Sequence, residues 1–110
     1  MFGNNLKKIE KLARRKDSDS LVKFLTSKDG QVRLAAIRGL GEAGGEPAFN
    51  SLTSLLRNAD PIVRAAAASA LEVLKSPKAV AFITNRLKDE TDAAAATAMR
   101  KALGVLHEKN

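Results

Sequence analysis

Two rhythms of apolar and polar residues run through this chain. The shorter one is helical. Val32, Ala35, Ala36, Gly39 and Leu40 fall at i, i+3, i+4, i+7 and i+8, which gathers them on one face of an amphipathic helix. Leu52, Leu55 and Leu56, with Ala48 one turn earlier, do the same in the next segment. The longer rhythm is a repeat. Residues 29–41, D-G-Q-V-R-L-A-A-I-R-G-L-G, return 31 residues later as residues 60–72, D-P-I-V-R-A-A-A-A-S-A-L-E. A fainter third copy starts at Asp92 and runs through Ala95, Ala98 and Met99 to Leu103, after one inserted residue. Leu21, Leu52 and Ile83 share the spacing of 31, as do Leu25, Leu56 and Leu87. Each unit therefore holds two apolar segments. A period of this length signals stacked pairs that hide their apolar faces only against their neighbours.

The breaks between segments carry helix-start chemistry. Asp60-Pro61 reads as an N-cap followed by proline at the first helical position, Ser76-Pro77 repeats that arrangement, and Glu46-Pro47 offers the proline with a poorer cap. Asp29 is placed to cap the helix that holds Val32, and the glycines of 41–45 close it, since glycine tolerates left-handed backbone. These signals predict helices at about 4–16, 18–27, 30–43, 47–58, 61–75, 77–88 and 92–107. Short connections make consecutive helices antiparallel neighbours. The first helix is irregular. Leu6, Ile9, Leu12 and Ala13 form its stripe, but Leu12 precedes Leu21 by 9 residues, where Leu40 precedes Leu52 and Leu71 precedes Ile83 by 12. It reads as an atypical terminal unit.

The phrase D-x-x-V-R-x-A-A-x-x-A/G-L resembles HEAT repeats, in particular the short subtype named after phycobilisome lyases. The resemblance is strongest over 29–88, moderate over 17–28 and 89–107, and weak over 1–16. It implies an all-α fold, a right-handed α–α superhelix of armadillo/HEAT type, with seven antiparallel helices in about three and a half repeats. The whole of 1–110 is then one domain: a capping helix pair at 1–28, repeats at 29–58 and 60–88, and a terminal half-repeat at 92–107. Such repeats generally serve as binding surfaces in scaffolds, adaptors and regulators. The lyase members attach bilins to phycobiliproteins, and no residue here singles out that activity. In this family the second helices of each repeat usually line the concave side. That implies a partner-binding surface at Lys23, Thr53, Arg57, Asn85, Arg86 and Lys88, polar with a basic tilt and suited to an acidic peptide or helix.

Composition narrows the chemistry. The chain carries no Cys and one His, His107, so thiolate and ordinary transition-metal sites lack ligands, and neither cofactor nor metal is expected. Gly39-Leu40-Gly41-Glu42-Ala43-Gly44 matches the spacing of a dinucleotide-binding glycine loop, but it ends a helix instead of opening one after a strand. Asp89, Glu90 and Asp92 cluster at a helix start, where capping explains them. The expected role is non-catalytic protein binding, with the enzyme-subunit reading resting on the family name alone.

Charge adds an alternative. The net charge is +7, and residues 1–16 hold six cations, Lys7, Lys8, Lys11, Arg14, Arg15 and Lys16, against Glu10 alone. This is either a solvated cap or a contact for nucleic acid or an anionic surface. Surface association with a membrane ranks last, because only Phe2, Leu6, Ile9 and Leu12 are large on the apolar stripe. No apolar run is long enough to span a membrane and the N-terminus lacks a signal-peptide core, so the expectation is a soluble, cytoplasmic protein. Asp29, Arg33, Asp60 and Arg64 recur in register and are expected to stack as a ladder between repeats, stopping where Ala96 takes the third Arg position. No eighth helix follows to cover Met99, Leu103 and Leu106, which suggests self-association through the last helix.

Overall fold

The computed structural model describes residues 2–108, with side chains from Asn5 to His107. The chain forms α1 (Phe2–Arg14), α2 (Ser18–Val22) continued by a 3-10 helix (Lys23–Thr26), α3 (Gly30–Ala43), α4 (Gly45–Leu55), α5 (Pro61–Leu74), α6 (Ala79–Asp89) and α7 (Ala93–Glu108). It is an all-α solenoid, two helix layers deep, and no strand forms among the described residues.

Local chemistry explains most boundaries. Asp29 accepts a hydrogen bond from the Gln31 amide, and Asp60 from the Ile62 amide, with Pro61 at the first helical position. Asp92 accepts from the Ala95 amide at 2.9 Å and opens α7 in the same way. Gly44, at φ 74°, both closes α3 and precedes α4, so α4 begins two residues earlier than Glu46-Pro47 suggests. Proline is tolerated there because the first turn of a helix has no internal partner for its missing amide. Ser76-Pro77 departs from expectation. Those residues form a turn, with the Ala79 amide donating to the Ser76 carbonyl, and α6 starts at Ala79 without a side-chain cap.

The short first connection also has a structural cause. Lys16 adopts left-handed backbone at φ 59°, the Asp17 amide donates to the Leu12 carbonyl and the Lys16 amide to that of Ala13. This is the double hydrogen bond of a Schellman closure. Asp17 then caps α2 through the Ser20 amide, and Ser18 Oγ donates to the Gly44 carbonyl at 2.6 Å, tying α2 to the α3–α4 corner.

The repeat becomes a core in register. Leu21, Leu52 and Ile83 are fully buried, as are Leu40 and Leu71. Burying each such side chain contributes about 1.5–3 kcal/mol before chain entropy is subtracted. The two layers are not spaced alike. In the layer of α1, α3, α5 and α7 the contacts are made by small residues such as Gly39, Ala67, Ala70 and Ala102, and these helices pack closely. A Cβ on Gly41 would lie 2.8 Å from the Ala70 carbonyl oxygen. In the other layer Phe49 and Phe82 meet edge-to-face with centroids 5.7 Å apart, and α4 and α6 touch far less. The reason is side-chain size: alanine and glycine let α1, α3, α5 and α7 approach closely, while a phenylalanine pair lies between α4 and α6.

Candidate protein-binding surface

The polar positions expected to bind a partner are divided by the structure. Thr53, Arg57, Asn85 and Arg86 line one cleft between α4 and α6, about 300 Å³ in volume, with Phe82 and Asp89. Lys23 and Lys88 are exposed and do not line it. Arg86 is partly engaged: its buried Nε lies 3.4 Å from Glu90 Oε1 in an ion pair without a hydrogen bond, and its Nη2 donates to the Asp89 carbonyl at 3.3 Å. Arg57 is exposed, leaving it the freest cation of this cleft.

The Asp–Arg ladder takes a different form from the one expected. Arg33 and Arg64 do not pair with Asp29 or Asp60. Each reaches back six residues instead, Arg33 Nη1 donating to the Ser27 carbonyl at 2.7 Å and Arg64 Nη1 to the Asn58 carbonyl at 2.8 Å. The aspartates serve as caps. In turn, Ser27 Oγ, Asn58 Oδ1 and a Glu90 carboxylate oxygen each accept the amide of the capping aspartate two residues later. Ser27, Asn58 and Glu90 are thus one structural column. Only its last member is charged, and Arg64 meets it bidentately, Nε to Oε1 at 2.7 Å and Nη2 to Oε2 at 2.8 Å. The Glu90 side chain is sealed from solvent. Hydrogen bonds from Arg64, against the opposing effect of burial, hold its carboxyl down to about 2. The same pair pushes the Arg64 guanidinium above its ordinary value. Glu90 is thus a structural clasp beyond its capping role. The signal available in the sequence was its place two residues before a repeat-start aspartate.

The remaining candidates fall as follows. Lys7, Lys8, Lys11, Arg14, Arg15 and Lys16 are all exposed, and none forms an ion pair among the described residues. The side chain of Phe2, counted in the apolar stripe of α1, lies outside the described residues. The glycine-rich segment 39–45 is the end of α3 and its turn into α4. The case for self-association through α7 does not hold. Met99, Ala95, Ala102 and Leu106 are buried and Leu103 is partly so, because α5 and α6 already occupy that side, while Thr97, Arg100 and Lys101 face solvent. Among the described residues no group of His, Asp and Glu side chains is arranged to hold a metal ion, and no helix is long and apolar enough to cross a membrane.

The feature that sequence reasoning missed lies on the closely packed row. Ile62 and Val73 on α5 are large, aliphatic and exposed, at 62% and 53% of their surface. They border a groove of about 430 Å³ between α3 and α5, walled also by Leu34, Arg38, Ala66 and Ser69. Ile62 stands at a variable place of the repeated phrase and Val73 just past its end, so the periodicity that marks the core carries no information about them.

The family model for HEAT repeats matches residues 18–104, and the chain belongs to the HEAT-repeat family. A search of curated proteins returns no significant match.

Proposed function

We propose that this chain is a non-catalytic protein-binding module, a small scaffold or adaptor, and that it holds its partner on the α3–α5 face. HEAT repeats generally mediate contacts between proteins, which supports the class. The observation that carries the reading is the pair Ile62 and Val73, exposed on one rigid helix beside an apolar groove. Large aliphatic side chains held in water on a fixed scaffold are typical of a contact surface. The α4–α6 cleft is the weaker candidate, because Arg86 is committed to Glu90 and Asp89 adds a carboxylate where an acidic partner would sit. The test is affinity capture from native lysate with three baits: wild type, Ile62→Asp/Val73→Asp and Arg57→Glu/Lys88→Glu. The reading expects specific partners to be lost with the first variant and kept with the second. Partners that survive Ile62→Asp/Val73→Asp, in a bait shown to be folded, overturn it.

A second reading has its own support in the six exposed cations of α1 and its exit turn, none of which is ion-paired among the described residues. On that reading the chain binds nucleic acid through phosphates alone. Affinity for duplex DNA would then fall steeply with salt and drop when Lys7, Lys8 and Lys11 are neutralised.

A further inference from the structure

We infer that the occupant of the α3–α5 groove is an acidic amphipathic helix. This rests on the protein-binding reading above and adds the chemistry of the partner.

The geometry favours a helix. The groove runs between two helices of 14 residues each, α3 and α5. A helix of that length spans about 21 Å. Ile62, Ala66, Ser69 and Val73 follow the i, i+4, i+7, i+11 spacing of one helical face, and Ile62 and Val73 stand about 16 Å apart along the axis. Small residues, Ala66 and Ser69, form the floor between these two large flanking side chains. A third helix laid into the trough would seat its own ridge of apolar side chains there, as helices pack on one another. An extended peptide would instead leave its backbone amides and carbonyls facing an apolar wall, since the lining helices have spent theirs internally.

Charge selects the sign. Arg38 is the one ionisable side chain among the described residues that lines the groove, and it stands on the ridge shared with the neighbouring α1–α3 cleft, whose own walls carry Glu10 and Glu42. The chain as a whole carries +7. A basic helix would meet repulsion both at the rim and at long range, and a second copy of this chain would bring another +7. Carboxylates flanking the apolar stripe meet Arg38 with the opposite sign and gain in association rate.

The experiment is selection of a displayed library of amphipathic helical peptides, unbiased in charge, against the full chain, followed by measurement of individual clones. The inference expects enriched sequences with apolar residues at i, i+4, i+7 and i+11 and a net negative charge. It expects their affinity to fall at least about tenfold with Ile62→Asp or Val73→Asp, and severalfold with Arg38→Glu. Enriched clones that are groove-dependent but basic, or that bind without helical pattern, overturn the acidic helix and leave the protein-binding surface standing. Clones that bind Ile62→Asp as well as wild type overturn the groove itself. Circular dichroism of each variant separates loss of binding from loss of fold.

Discussion

Arg64 at the start of α5 and Glu90 just before α7 form a bidentate ion pair that spans 26 residues of sequence and joins one repeat to the next. The glutamate also accepts the Asp92 amide and faces Arg86, so a single buried carboxylate gathers α5, the end of α6 and the entry to α7. Arg33 holds its own loop carbonyl in the same manner, but the residue at the matching place of the column, lining one cleft with it, is Asn58 instead of a glutamate.

Removing Arg64 therefore costs more than removing Arg33. Arg64→Ala leaves the sealed Glu90 carboxylate without its main partner, and an uncompensated buried charge is strongly destabilising. We expect a melting temperature lower by roughly 10 °C for Arg64→Ala, and by only a few degrees for Arg33→Ala, which loses hydrogen bonding to one loop carbonyl. Thermal unfolding of the two variants side by side checks this. Equal losses would refute the special place of the pair.

The Glu90 carboxyl, held at about 2 against an ordinary 4.5, makes stability depend on acid. Its lowered value contributes stability that is fully present above pH 4.5 and is lost as the pH falls from there through about 2. Glu90→Gln should be less stable than wild type at neutral pH and should flatten that part of the acid limb. Denaturant titrations from pH 7 down to pH 2 read both effects. An acid limb unchanged by Glu90→Gln would show that other carboxylates carry it.

The column of Ser27, Asn58 and Glu90 offers a gain as well as a loss. Asn58→Glu places a carboxylate opposite Arg33 while keeping an acceptor for the Asp60 amide, as Glu90 does for Asp92. The second clasp should raise the melting temperature by a few degrees, and the gain should vanish in an Arg33→Ala background. A gain that persists without Arg33 would assign it to another cause.

Two glycines in helices should respond oppositely to alanine. At Gly41 the new Cβ meets the Ala70 carbonyl at 2.8 Å and its Cα and Cβ at 3.1 Å. Relieving that overlap means moving α3 away from α5, at a cost of about 1–3 kcal/mol. At Gly104, within α7, nothing lies within 4 Å, so Gly104→Ala should stabilise by about 0.5–1 kcal/mol through helix propensity alone. Urea midpoints measure both signs.

What the sequence discloses here follows the range of the interactions. The Asp60-Pro61 start is set by residues that touch each other, and Leu21, Leu52 and Ile83 are set by a period, so both are readable from the chain. Ser76-Pro77 looks alike in sequence yet forms a turn ahead of α6. The bidentate clasp needs a partner 26 residues away, which composition at Glu90 alone does not reveal. How closely each layer packs depends on whether Gly41 with Ala70, or Phe49 with Phe82, sits between successive helices, a comparison of volumes across layers. The groove escapes for another reason. Ile62 sits at a variable place of the repeated phrase and Val73 just beyond it, and an aliphatic residue at such a place looks like any other apolar position until its neighbours are known.

The most direct test of the proposed function is site-specific photo-crosslinking of the full chain, with p-benzoylphenylalanine placed singly at positions 62, 73, 57, 88 and 7. The account predicts that a discrete protein adduct forms from positions 62 and 73 and not from positions 57, 88 or 7. Adducts arising only from 57 and 88, on the α4–α6 side, or only from position 7 and to nucleic acid, would contradict it.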